Sequence, residues 1–173
     1  MIPQNILQYL ERHQIPFERR PHLRAITAQA LAESLHVSGF RVAKSVILRS
    51  EDSFWICVVG APDTVDVDRV AEVTGAKGLR LADESEFAHL FPDCEVGAEP
   101  PFGRRYGLPV VVDGHLGEAE TLLFRAGSHD EALELRFADF VGVEAPYLGA
   151  IVHDRPGAAR RLPFDSEALQ PDY

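Results

Sequence analysis

Cysteine is scarce in this chain: Cys57 and Cys94 are its only two, far apart and with no ligand spacing around either. They are predicted to be reduced thiols, since neither a disulfide nor a metal pair is suggested by that pattern. No apolar run approaches the roughly 20 residues that a membrane-spanning helix needs. The opening MIPQNILQYLERHQ has no basic segment followed by an apolar one, so no secretory leader is read in it. The seven histidines form no H-E-x-x-H or comparable cluster, and neither a Walker loop nor a dinucleotide fingerprint occurs. No metal site and no cofactor is therefore expected, and the expected compartment is the cytoplasm. Internal repeats are also missing.

What is present suits one globular domain: 173 residues, of which 46% are hydrophobic. The net charge of −10 argues at first against a nucleic-acid partner, because phosphates are bound by Lys and Arg. Its distribution is uneven. Residues 1–49 hold seven basic side chains against three acidic ones, while the remainder holds ten against twenty-four. Either the surface charge is simply scattered, or a basic N-terminal third receives a short nucleic-acid end while the acidic body repels long duplex.

Ile6, Leu7 and Leu10 recur at helical spacing, and Ile15–Arg19 reads as a short strand closed by Pro21 and His22. Thr27 is placed to cap a helix from Ala28 to about Leu35. Strands are predicted at Phe40–Leu48 and Phe54–Val59, the latter ending in the turn Gly60-Ala61-Pro62-Asp63. A helix over Asp66–Thr74 has Gly75 where a left-handed cap is wanted. Leu79–Leu81 is a short strand, and Asp83 with Glu86 has capping-box spacing. The Gly- and Pro-rich stretch Val96–Pro109 is read as loop. Strands follow at Val110–Val112 and Thr121–Arg125. Within 128–137, Leu133, Leu135 and Phe137 alternate with Glu134 and Arg136, which favours a strand before a short helix from Ala138. The mixture predicts a single α+β domain over 1–153, a mixed, barrel-like sheet flanked by helices, with a loosely ordered tail over 154–173.

Three places could carry chemistry. Lys44 shares a strand face with Val42, Val46 and Leu48, while Arg41, Ala43, Ser45 and Arg49 face the other way. A lysine on an apolar face either snorkels to water or lines a pocket, where its ammonium would anchor an anion or a carbonyl. Gly97-Ala98-Glu99-Pro100-Pro101-Phe102-Gly103 is either a plain connection or a rigid loop that lets backbone approach a ligand and offers amides to an oxyanion. Ser128 and His129 are adjacent, but neighbours rarely reach hydrogen-bond geometry with each other, and no carboxylate is spaced to orient them.

In order along the chain these segments resemble the YbaK/prolyl-tRNA synthetase-associated domain family of aminoacyl-tRNA deacylases. The resemblance is carried by Thr27-Ala28-Gln29-Ala30 after His22, by Lys44, by Gly60–Asp63, and by the Gly-x-x-x-Pro element of Gly97 and Pro101. Pro109–Asp113 and Ala126-Gly127-Ser128-His129 complete it, so that it runs from about residue 3 to 150. The resemblance implies an editing enzyme that hydrolyses the ester of a mischarged tRNA after the synthetase has released it. Lys44, Gly97 and Pro101 would be its catalytic residues. His22, Thr27, Ala98, Phe102, Gly127, Ser128 and His129 would bind substrate. The implied partners are the 3′ acceptor end of mischarged tRNA and an aminoacyl-tRNA synthetase, with no membrane and no DNA. Small amino acids such as alanine, serine, threonine or cysteine would be those removed. A non-catalytic module of the same fold that binds a nucleotide or tRNA end is the alternative.

Overall fold

Residues 1–155 are described in the computed structural model. The tail expected over 154–173 therefore lies, from residue 156 on, outside the described residues. Asp154 and Arg155 are tied down, by Arg69 at 3.2 Å and to Asp63 at 2.6 Å.

Local signals account for most elements. Helix α1 (Gln4–Arg12) buries Ile6, Leu7, Tyr9 and Leu10 on one side. After β1 (Phe17–Pro21), the Thr27 hydroxyl accepts from the Ala30 N–H at 3.0 Å and starts α2 (Ala28–Ser34). A 3₁₀ turn over Gly39–Arg41 delays β2 (Val42–Arg49) past the predicted start at Phe40. Next come β3 (Phe54–Gly60) and α3 (Val67–Thr74), which Asp66 caps at one end and Gly75, at φ 74°, at the other. Strand β4 (Arg80–Leu81) leads to α4 (Glu84–Phe87), where the Asp83 N–H donates to Glu86 at 2.8 Å.

Val96–Pro109, read as loop throughout, contains the single turn α5 (Gly103–Tyr106). Packing supplies that turn. Gly103 lies so close to the Leu108 carbonyl and Val110 that a Cβ would come within 2.3 Å of both. Strands β5 (Val110–Asp113), β6 (Thr121–Arg125) and β7 (Glu131–Arg136) follow, and α6 (Phe137–Glu144) begins one residue earlier than predicted. Strand β8 (Tyr147–Gly149), which the pattern did not announce, ends the sheet.

The eight strands form one mixed sheet in the order β1-β7-β6-β2-β3-β5-β8, with β4 beside β2. Ala43, Ile47, Ile56, Val58 and Phe124 face a core closed by α1, Phe102 and Phe140. On the opposite face Leu48, Cys57, Val59 and Val111 pack on Val70 of α3, and Val42, Leu123 and Ala132 pack on Leu31 of α2. Both faces are covered, which is why β3 and β5 read as unbroken apolar runs. No helix among the described residues is long and apolar enough to cross a membrane.

One irregularity positions everything that follows. Along one edge β2 pairs with β3 over its length, from Ala43 to Arg49. Along its other edge it pairs with β6 only at Val42 and Ala43 and with β4 only at Leu48 and Arg49. The Ile47 carbonyl accepts from the Ala82 N–H, whereas the Val42 carbonyl accepts from Ala61 across the β3 side. Odd-numbered residues thus direct their main chain away from β3. Ser45 therefore turns its N–H and C=O into a split between β6 and β4.

Gly103→Ala should destabilise the protein by about 3 kcal/mol, the upper range for overpacking a site that cannot relax. A shift of the urea midpoint to lower concentration with unchanged slope checks it; an unchanged midpoint would mean that the Leu108–Val110 backbone yields.

Candidate functional site

Lys44 lies at the sheet split. It faces as the alternation predicts, with Val42 and Leu48 and opposite Val59 of β3. The side chain is half-buried and, among the described residues, makes no hydrogen bond or ion pair. Burial depresses its pKa below the ordinary lysine value, and the Asp63 carboxylate in the turn after β3 opposes that shift. Asp63 itself is buried and pairs with Arg155.

The parallel ladder sets Val42 against Leu123 and Ala43 against Phe124. The ladder stops there; Lys44 and Arg125 are the residues that follow on the two strands, and by alternation both leave the sheet on the face of Val42 and Leu123. Arg125 also has a depressed pKa, lowered by burial and countered by the charge of Glu99. Its guanidinium donates to the Ile26 carbonyl and, at 3.3 Å, to Nδ1 of His129. A guanidinium cannot accept, so His129 carries its proton on Nε2 and donates it to the Val96 carbonyl at 2.8 Å.

Beyond the end of β6, three loops are laced together. The Glu95 N–H donates to the Gly127 carbonyl at 3.0 Å, and the Gly127 N–H to the Ala98 carbonyl at 2.7 Å. The Glu95 carboxylate accepts from the His129 N–H at 2.7 Å and pairs with Arg24 at 3.0 Å, contacts that hold its pKa low. The third strap joins His22 and Ala25, whose N–H groups donate to the carbonyls of Asp130 and His129. Gly97 stands at φ 83°, a left-handed conformation, and its N–H donates to the buried Glu99 carboxylate at 2.9 Å.

This lacing brings His22, Gly97, Ala98, Gly127 and His129 into one cluster and ties it to Arg125, which follows the last β6 residue paired with β2. Pro101 is buried at the end of the loop. Three other residues expected at the site have their side chains engaged elsewhere. Phe102 is fully buried among Tyr9, Phe124 and Phe140, so it anchors the loop in the core. The Ser128 hydroxyl bonds the Asp130 carboxylate, and that of Thr27 is spent on the helix cap. Ser128 and His129 do not bond each other, and both His129 ring nitrogens are occupied, which removes a Ser–His nucleophile. Within the loop the amides of Gly97 and Ala98 are committed to Glu99 and to the Glu95 carbonyl, and the two prolines have none. Among the described residues, the N–H groups of Glu99 and Phe102 are left in the loop, and that of Ser128 in the segment after β6.

Arg125, Glu95, Glu99 and Asp63 join the cluster without having been singled out in the sequence. Arg125 is signalled only by the β2–β6 register, which no local pattern reveals. The basic N-terminal third also resolves differently in three dimensions. Arg19 pairs with Glu131, and Arg20 and Arg41 pair with Glu134, so these charges are neutralised by β7 and offer no open basic face.

Comparison with known proteins identifies the family. The aminoacyl-tRNA editing domain matches residues 22–143, a span that includes Lys44 and all three loops. Uncharacterized protein YwhH of Bacillus subtilis (strain 168) is 30% identical over 110 residues, which is 63% of this chain and 69% of that protein. A proline–tRNA ligase of Xanthomonas oryzae pv. oryzae (strain MAFF 311018) is 34% identical over 88 residues, 50% of this chain but only 15% of the ligase. The likeness there is to one segment of a much longer protein. Among solved structures, hypothetical protein APE2540 superposes with a TM-score of 0.79 at 18% identity, covering 87% of this chain and all of that one. A protein whose proposed role is trans-editing for prolyl tRNA synthetase superposes at 0.74 with 18% identity, covering 87% and 96%. At such identities these structures show likeness of fold. By the family match over most of its length, the chain belongs to the aminoacyl-tRNA editing domain family.

Proposed function

We propose that the protein is a trans-editing hydrolase that cleaves the ester joining a wrong amino acid to the 3′ end of tRNA. The observation that carries this reading is Lys44: a half-buried ammonium with no partner, at a split in the sheet bordered by β6, which leads to Arg125 and the laced loops. A cation left unpaired at a partly desolvated site is a place where an anion, or developing negative charge, gains most.

In this reading Lys44 anchors the terminal nucleotide or the substrate carbonyl. Gly97, Ala98 and Pro101 seat the aminoacyl group, with Gly127 and His22 at the rim. A water oxygen bonds to the ester carbon as the carbonyl electron pair moves onto oxygen, where Lys44 and the Glu99 N–H meet the charge. Collapse breaks the bond to the ribose oxygen, which leaves with the proton that water gives up. The neighbouring ribose hydroxyl orients that water. No protein nucleophile is required, because an aminoacyl ester is already activated and positioning supplies much of the rate. The occupied nitrogens of His129 fit this route. They equally suit the alternative, a module that binds a nucleotide or tRNA end without turnover, and deacylation assays on a panel of mischarged tRNAs separate the two.

Lys44→Ala should lower deacylation kcat/KM by about a hundredfold, as for loss of one electrostatic anchor, and leave the circular dichroism spectrum unchanged. Turnover close to the parent's on the same tRNA would remove Lys44 from the mechanism. Because burial lowers the Lys44 pKa, its ammonium is present below that depressed value and lost as pH rises through it. The alkaline limb of the kcat/KM profile should therefore move to higher pH in Lys44→Arg; an unmoved limb would assign it to another group.

Gly97→Ala tests the loop. An added Cβ would have ordinary contact with the His129 ring at 3.6 Å, so the cost is the left-handed backbone, about 1–2 kcal/mol. The variant should lose about tenfold in kcat/KM, in keeping with a barrier change of that size. Parent-like kinetics at reduced stability would show that the loop conformation matters for folding alone.

A further inference from the structure

The surface beyond the site is organised by a second feature, where α1 meets α5. Glu144 is buried between them, its carboxylate accepting from the Tyr9 hydroxyl at 2.7 Å and from the Arg104 N–H at 3.0 Å. Over that floor lies an open groove of about 440 Å³. Asn5, Gln8, Arg12 and His13 line it from α1, and Arg104 and Arg105 from α5.

Arginines elsewhere among the described residues are mostly neutralised. Arg19, Arg20, Arg24, Arg41, Arg69, Arg80, Arg136 and Arg155 each pair with a carboxylate. Arg12, Arg104 and Arg105 make no ion pair; Arg105 lies over the Tyr106 ring, 5.5 Å from its centre. Three unpaired guanidiniums and an imidazole thus surround one groove on a protein of net charge −10. The rest of its lining is Tyr9 and the amides of Asn5 and Gln8; the Glu144 carboxylate beneath has both oxygens engaged, and the Asp93 carboxylate behind Asn5 is bound by that amide and by the Tyr106 hydroxyl. Such a field draws an anion to this groove and repels it from the remaining surface. Guanidiniums present forked donors that match phosphate oxygens.

Helix α1 links the groove to the loop cluster. Pro3, which precedes α1, lies against Gly127, where a Cβ would approach its ring at 2.8 Å. From there α1 runs to Arg12, about 13 Å at the helical rise. One small anion cannot touch both ends of that path, whereas a chain of phosphates can. We infer that this groove holds backbone phosphates of the RNA whose 3′ end reaches the Lys44 site. The inference rests on the proposed editing function and extends it to a surface whose α1 half precedes the segment matched by the family.

The test compares the full-length parent with Arg12→Glu/Arg105→Glu, using uncharged bulk tRNA in fluorescence anisotropy across a salt series. Hydrolysis of mischarged tRNA and of 2′(3′)-O-aminoacyl adenosine, which is too short to reach the groove, is measured alongside. The variant should bind tRNA at least about tenfold more weakly near 0.1 M salt, and its log–log salt slope should be shallower by about 2. KM for mischarged tRNA should rise, while hydrolysis of aminoacyl adenosine should stay at the parent rate. If the Arg105 change disturbs folding through Tyr106, Gln8→Glu/Arg12→Glu adds the repulsion from α1 alone and should act in the same direction. Unchanged tRNA affinity and slope in a folded variant would overturn the inference. So would loss of binding to labelled polyglutamate with tRNA binding intact, which would assign the groove to an acidic protein. If the parent hydrolyses both substrates and the variants match it, the groove alone fails; if the parent hydrolyses neither, the editing reading fails and the inference with it.

Discussion

Strand β2 has more neighbours than its edges can serve. It gives one edge to β3 and divides the other between β6 at its start and β4 at its end. The backbone between those two short ladders, around Ser45, has no strand to pair with. A gap in the middle of a sheet leaves polar main chain unpaired, and natural proteins close such gaps or use them. Here the gap coincides with Lys44, and the loop from Cys94 to Pro101 is laced to the segment that follows β6. The positions of the lysine, of Arg125 and of the loop cluster all descend from that one division.

The same economy governs the polar groups around the gap. Glu95, Glu99, His129 and the Gly127 backbone satisfy one another through bonds between three loops that are distant in sequence. A loop built this way is held by partners and not by its own conformation, so it presents a fixed shape with few spare donors. Among the described residues, what stays unspent includes the Lys44 ammonium, the buried Nε2 of His22, the Ser45 main chain at the split, and the N–H groups of Glu99 and Ser128. Groups left over in so thoroughly paired a neighbourhood are where a ligand can add interactions without breaking any.

Charge is organised in space and not by sequence segment. The arginines of β1 and the turn before β2 answer the glutamates of β7, so the apparent basic third of the chain dissolves into cross-strand and loop pairs. Positive charge gathers instead where α1 meets α5, two elements about ninety residues apart in the chain. The buried Glu144 carboxylate is what joins them, because it binds a side chain of one and a backbone amide of the other.

Local chemistry in the sequence was enough for most of the elements. Helical spacing marked α1, the Thr27 hydroxyl and Gly75 marked helix ends, and apolar runs marked β3 and β5, since each depends on neighbours within a few residues. The face of Lys44 was legible for the same reason, as strand alternation is a local property. The α5 turn and β8 were not, being imposed by contacts of Gly103 with Leu108 and Val110 and by pairing with β5. Nor could the roles of Phe102 and Ser128 be read, because a phenylalanine in a glycine-rich loop turns inward only if a core lies beneath it, and a serine's partner depends on the fold around it. The residue types at the site were set by the sequence itself. Which of them meet, which are already spent and which stay free was decided by strand register and loop lacing, interactions between segments that have no local signature.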